Sequence, residues 1–122
     1  MKILIADDNI RIRNLINRLI GTVIRDYDVF ECSDGYSAIK INRNECTDLI
    51  FMDILMPVMD GLTAARNIHA EQPHTKIIII SELSDPEYRS ASFNAGAIDF
   101  IHKGQLFELP DKLKSLIEGQ IK

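Results

Sequence analysis

Five short apolar or β-branched runs recur along the chain, and a segment with helical spacing follows each of them: Ile3–Ala6, Tyr27–Cys32, Leu49–Met52, Ile77–Ile80 and Ile98–His102. Runs of this length, several without polar alternation, predict strands buried on both faces, as in a parallel sheet. Between them, Ile12, Leu15, Ile16, Leu19 and Ile20 repeat at helical spacing and predict a first helix. The stretch from Tyr36 to Arg43 predicts a second, and Leu62, Ala65 and Ile68 a third that ends near Pro73. Asp85-Pro86 opens a fourth, with Asp as cap and Pro in the first turn, and Asn94 to Gly96 stops it. Pro110-Asp111 opens a fifth, which turns Leu113, Leu116 and Ile117 inward and is closed by Gly119. Strict β-α alternation implies an α/β, doubly wound five-stranded parallel sheet with helices on both faces. Right-handed crossovers leave only a few strand orders.

Length and charge narrow the function. The 122 residues suffice for one core, so residues 1–122 are expected to form a single domain. With 14 Lys and Arg against 18 Asp and Glu, the net charge of −4 argues against nucleic acid as a direct partner. No apolar run approaches the ~20 residues of a membrane span, and two aspartates cut off the N-terminal run before it resembles a signal peptide. Cys32 and Cys46 have neither zinc-ligand nor disulfide-framework spacing, and His69, His74 and His102 lack ligand spacing with one another. A reduced, cytoplasmic setting is expected.

Open α/β sheets bind ligands beyond the carboxyl ends of their strands, where the strand order reverses. Asp7-Asp8 follow the first strand, Asp53 the third, Ser81 the fourth and Lys103 the fifth. In the order 2-1-3-4-5, the first and third strands adjoin at the reversal and gather three carboxylates. Close carboxylates repel by roughly 1–4 kcal/mol per pair. Any one of these residues alone reads as a turn residue, a cap or a solvated charge. Acid, acid, hydroxyl and ammonium together point to a hard cation, Mg²⁺ rather than Ca²⁺, and an incoming anion.

Asp7-Asp8-Asn9, the block from Met52 through Asp53, Met56-Pro57 and Asp60-Gly61, the pair Ile80-Ser81 and the run Gly96 to Lys103 resemble the receiver domain of two-component response regulators. The similarity spans the whole chain in order, and the DxxMPxxDG block is highly specific. It implies a flavodoxin-like (βα)5 fold of order 2-1-3-4-5. It implies that Asp53 is the phosphoacceptor, and that Asp8, Asp53 and the Leu55 carbonyl ligate Mg²⁺, with Asp7 acting mostly through water. Ser81 would be the switch hydroxyl, Lys103 the phosphoryl partner, and Phe100 an aromatic that rotates inward as Ser81 moves. The implied partners are a histidine kinase or histidine-phosphotransfer domain, and an output domain or target on the face of the fourth helix, fifth strand and fifth helix, with a phosphorylation-dependent homodimer as a further form. Such a module catalyses only its own phosphorylation and dephosphorylation and is not otherwise an enzyme.

Several positions depart from that pattern. Glu82 stands where a small residue is usual and is expected either to overhang the site and slow small-molecule donors or to point to solvent. Gly104 replaces a proline often joined to the lysine by a cis bond, and a trans bond is expected before glycine. The missing proline is also a pattern of regulators with a helix-turn-helix output domain, which makes this chain a candidate N-terminal domain of one. Leu106, Phe107 and Leu109 read as core or staple residues, any exposed subset marking a docking patch, with the fifth helix starting late. Leu55 and Leu83, two positions beyond Asp53 and Ser81, cannot orient an attacking water, so a long-lived phosphoryl group is expected. Arg11, Arg13, Arg18 and Arg25 give the first helix either a solvated basic face or a rim for a phosphotransfer partner. Two other readings compete: an interaction domain that works without phosphorylation, and a Mg²⁺-dependent phosphatase, for which no further general acid or substrate cap is visible.

Overall fold

The computed structural model describes the backbone of residues 1–121 and the side chains of residues 1–119. Strands β1 (Lys2–Ala6), β2 (Asp28–Cys32), β3 (Leu49–Met52), β4 (Lys76–Ser81) and β5 (Asp99–His102) form one parallel sheet in the order β2-β1-β3-β4-β5. Between and after them run α1 (Ile10–Gly21), α2 (Gly35–Glu45), α3 (Gly61–Glu71), α4 (Pro86–Asn94) and α5 (Leu109–Ile121). The expected doubly wound architecture is present. A 3₁₀ stretch, Lys103–Glu108, precedes α5.

Alternation along the strands divides the interior into two cores. On one face, Leu4, Ile50, Met52, Ile77, Ile79 and Phe100 cluster with Ala38 and Ile39 of α2, Ala64, Ala65 and Ile68 of α3, and Ala95 and Ala97 just after α4. Ile3, Ile5, Phe51, Ile78, Ile80 and Ile101 face the other way, onto Ile16 and Ile20 of α1 and Leu113 of α5. The central strands are therefore buried on both faces, which explains their unbroken apolar runs. At the amino ends of the strands, buried Asn42 accepts from the Thr47 amide and hydroxyl and donates to Gln72 at 2.7 Å, which ties α2 to α3. Among the described residues, no helix is long and apolar enough to cross a membrane.

Some boundaries differ from the expectations. β2 starts at Asp28 and β5 at Asp99, because Tyr27 and Ile98 belong to the turns that lead into them. Gly119 does not close α5, whose backbone runs on to Ile121. A glycine inside a helix costs about 1 kcal/mol but stops nothing by itself. Asp85 holds the N-cap position of α4, yet its side chain makes no capping hydrogen bond. Leu106 and Leu109 are buried, whereas Phe107 is 74% exposed. No peptide bond among the described residues is cis, so the Lys103–Gly104 bond is trans.

Candidate functional site

The carboxyl ends of β1 and β3 adjoin, and the chain continues the ladder one residue beyond each strand. The Asp7 amide donates to the Cys32 carbonyl at 3.1 Å and the Asp53 amide to the Ala6 carbonyl at 2.9 Å. These bonds fix both aspartates at the sheet edge. Asp8 is the next residue, exposed, and Asn9 caps α1 by accepting from the Arg11 amide at 2.9 Å. One oxygen from each of Asp7, Asp8 and Asp53 lies within 4.8 Å of the others. The three predicted carboxylates are thus brought together.

Their environments differ. Asp7 is 1% exposed and Asp53 4% exposed. Asp7 Oδ1 accepts from the Asn9 amide at 2.9 Å, and Asp53 Oδ1 accepts from the Ile54 amide at 2.8 Å. The Lys103 ammonium reaches in from the end of β5, 2.9 Å from Asp7 Oδ2 and 3.2 Å from Asp53 Oδ2. Burial, followed by the Asp7 charge, pushes the Asp53 carboxyl up to about 6, against the opposing pull of Lys103 and the Ile54 amide. Burial alone would lower the Lys103 ammonium, but the two carboxylates outweigh it and hold it above its ordinary value. One ammonium therefore compensates a buried site that holds more negative charge than it can neutralise.

Buried Asp7 Oδ2 accepts no well-directed hydrogen bond; its contact with Lys103 is an ion pair of short distance and poor angle. A buried carboxylate oxygen with no well-directed hydrogen bond, sharing one ammonium with a second carboxylate and lying beside a third, fits a hard divalent cation, whose ligands are oxygens. The donor set thus matches the expected metal.

A cleft of about 210 Å³ opens over these groups, lined by Asp8, Asn9, Asp53, Leu55, Ser81, Glu82 and Lys103. Ser81 is the last residue of β4, buried, and its Oγ accepts from the Leu83 amide at 3.0 Å, which leaves the hydroxyl proton free to donate. Glu82 is exposed at the lip. Phe100 is set apart from this cleft. It is already buried, and the Arg89 guanidinium lies 5.9 Å from its ring and 5.6 Å from the ring of Phe93. A larger hollow of about 650 Å³ lies between α4 and α5, bordered by Arg89, Phe100, His102 and Lys112. On α1, Arg13 pairs with Glu31 at 3.0 Å and donates to the Asp7 carbonyl, while Arg11 and Arg18 are exposed.

Two features escaped the sequence reading. The first is Gly61, where a Cβ would stand 1.7 Å from the Asp53 carbonyl oxygen, so the start of α3 lies directly on the backbone of Asp53. The Asp60-Gly61 pair after an apolar strand was a visible signal of that approach. The second is the His102 ring, whose bonds give no spacing signature.

Residues 3–115 match the response regulator receiver domain family, and the chain belongs to it. It is 26% identical over 121 residues to the response regulator GacA of Pseudomonas aeruginosa, covering 98% of this chain and 56% of that protein. It is 37% identical over 109 residues to protein-glutamate methylesterase/protein-glutamine glutaminase 2 of Shewanella sp. strain MR-7, covering 87% of this chain and 30% of that one. Among solved structures, a LuxR-family two-component response regulator from Aurantimonas sp. SI85-9A1 superposes with a TM-score of 0.85 at 26% identity, covering 97% of this chain and 85% of the other. The chain spans about half the length of the first of these curated relatives, or less.

Proposed function

We propose that this receiver domain, taken as the whole of residues 1–122, accepts a phosphoryl group on Asp53 from a phosphohistidine partner and signals through the face of α4, β5 and α5. The observation that supports this most is the convergence of Asp7, Asp8 and Asp53 within 4.8 Å, with the Lys103 ammonium 3.2 Å from Asp53. An Asp53 carboxylate oxygen attacks phosphorus, the new P–O bond forms as the P–N bond breaks, and the imidazole leaves with the electron pair. Lys103 pairs with a phosphoryl oxygen, and the Ser81 hydroxyl donates to another. Mg²⁺, held by Asp7, Asp8, Asp53 and the Leu55 carbonyl, would neutralise the crowded carboxylates and the charge gathering on the phosphoryl oxygens. Asp53 then carries about −1.5 to −2 charges where it carried one, and that local change biases the packing of the loop after β4. Phe100 is buried with the Arg89 guanidinium of α4 over its ring, so its switching contribution is a change in how Arg89 covers it.

Leu55, which lines the cleft, and Leu83, which packs against the core, carry no polar side-chain group to align water, so the aspartyl phosphate is long-lived. Incubation with acetyl phosphate and Mg²⁺ should add the mass of one phosphoryl group, released by alkali and absent in Asp53→Asn. Addition at another residue, or none at all, would leave the phosphorylation-independent interaction domain as the better reading.

A further inference from the structure

Two loops carry the groups that would hold a phosphoryl oxygen. The first, residues 82–85, follows Ser81 at the end of β4; the second begins with Lys103 after β5. One imidazole touches both. The Gly104 amide donates to His102 Nδ1 at 3.2 Å, which makes His102 the cap of the 3₁₀ stretch. An Nδ1 that accepts carries no proton, so the neutral ring keeps its proton on Nε2. That Nε2–H lies 3.0 Å from the Glu82 carbonyl and donates to it.

Glu82 sits between Ser81 and Leu83, whose amide donates to the Ser81 hydroxyl oxygen at 3.0 Å. Holding the Glu82 carbonyl therefore holds the turn that orients the Ser81 hydroxyl. At its other nitrogen, the same ring holds the peptide that follows Lys103. The β4–β5 ladder ends at the Ser81 and His102 pair, and the ring carries the connection past that end. Residue 104 suits this contact. A Cβ there would stand 3.0 Å from Nδ1 and 3.1 Å from Cε1 of the ring, and a proline would have no amide proton to give.

We infer that His102 is a positioning residue, which sets the Ser81 loop against the Lys103 loop so that hydroxyl and ammonium converge on a phosphoryl group. This rests on Asp53 being the phosphoacceptor. The aspartates lie on neither loop, so the ring reaches the cation site only indirectly, through the Lys103 ammonium, whereas it holds both loops that capture the tetrahedral anion.

Beryllofluoride, which takes the place of a phosphoryl group on a carboxylate, provides the test. Wild type should bind it at saturating Mg²⁺, and His102→Leu, which loses both bonds, should bind it roughly 10-fold more weakly. His102→Asn can keep the Gly104 bond and His102→Gln the Glu82 bond, so each should lose only about 3-fold, as should Gly104→Pro. Mg²⁺ affinity measured without beryllofluoride should change less than beryllofluoride affinity in every one of them. ¹⁵N spectra of the wild-type ring at pH 8 should show the proton on Nε2. Unchanged beryllofluoride affinity in His102→Leu, a parallel loss of Mg²⁺, or a proton on Nδ1 would overturn the inference. If His102→Leu does not fold, the Asn and Gln variants decide by the same criteria. A wild type that ignores beryllofluoride would instead overturn the phosphoacceptor reading, and this inference with it.

Discussion

Lys103 Nζ donates to Asp53 Oδ2 at 3.2 Å across 50 positions of the chain, and both side chains are largely withdrawn from solvent. Breaking a buried pair leaves an uncompensated charge, which costs more than the pair itself contributes. In Mg²⁺-free buffer at pH 7, Lys103→Met should therefore lose about 3 kcal/mol of stability in urea denaturation. The deficit should shrink at pH 5, where Asp53 takes up a proton. An equal deficit at both pH values would show that lost packing, not charge, is responsible.

Asp53 supplies a prediction of opposite sign. Its folded-state pKa is raised, from 3.8 to about 6, so the native state binds this proton more tightly than the unfolded chain does. Its contribution is most favourable below the unfolded value and is lost as pH rises through the folded one. Without Mg²⁺, Asp53→Asn should gain on wild type between pH 4 and pH 7, reaching on the order of 2–3 kcal/mol. A gap that stays constant with pH in denaturant titrations would contradict this.

Val58 has φ 68 and is 84% exposed, and across it the Met59 amide donates to the Pro57 carbonyl at 2.7 Å. This is a three-residue turn with a β-branched side chain in the left-handed region, a conformation that costs about 1–2 kcal/mol. Glycine removes that strain but gives the unfolded chain more freedom, which offsets part of the gain. Val58→Gly should raise stability by about 0.5–1 kcal/mol net, detectable as a higher denaturation midpoint. Val58→Ala should recover less.

Gly61→Ala should be far more damaging. The added methyl would meet the backbone of Asp53, which cannot yield as a flexible side chain would. A loss above about 3 kcal/mol is expected, with weaker Mg²⁺ binding because Asp53 itself must shift. Circular dichroism melts and a Mg²⁺ titration would measure the two effects separately.

The β-α alternation and the places of Asp7, Asp8, Asp53, Ser81 and Lys103 at strand ends were legible because they follow from where apolar runs end, whereas the order 2-1-3-4-5 that gathers them came from the resemblance to receiver domains. Such endings are local, and the topology of parallel strands does the rest. Features that depend on a single torsion or a single hydrogen bond were not. Val58 and Cys46 both adopt positive φ, which neither residue type suggests. His102 looked idle because it lacked ligand spacing, although its function in the fold is hydrogen bonding to two loops. The Phe100 ring lies under Arg89 from another element, and no short sequence window contains that relationship.

The contact between Gly61 and the Asp53 backbone also makes the two walls of the cleft unequal. The Gly61 amide donates to the Ile54 carbonyl at 2.8 Å, and Asp60 caps α3 through the Thr63 amide at 2.9 Å, so that wall is bolted to the segment that carries Asp53. The opposite wall leads into α4, a nine-residue helix with Ser92 as its buried residue and no side-chain cap. One wall of the cleft is thus a fixed jaw, and the other is held by fewer ties, through the Ser81 hydroxyl and the His102 ring.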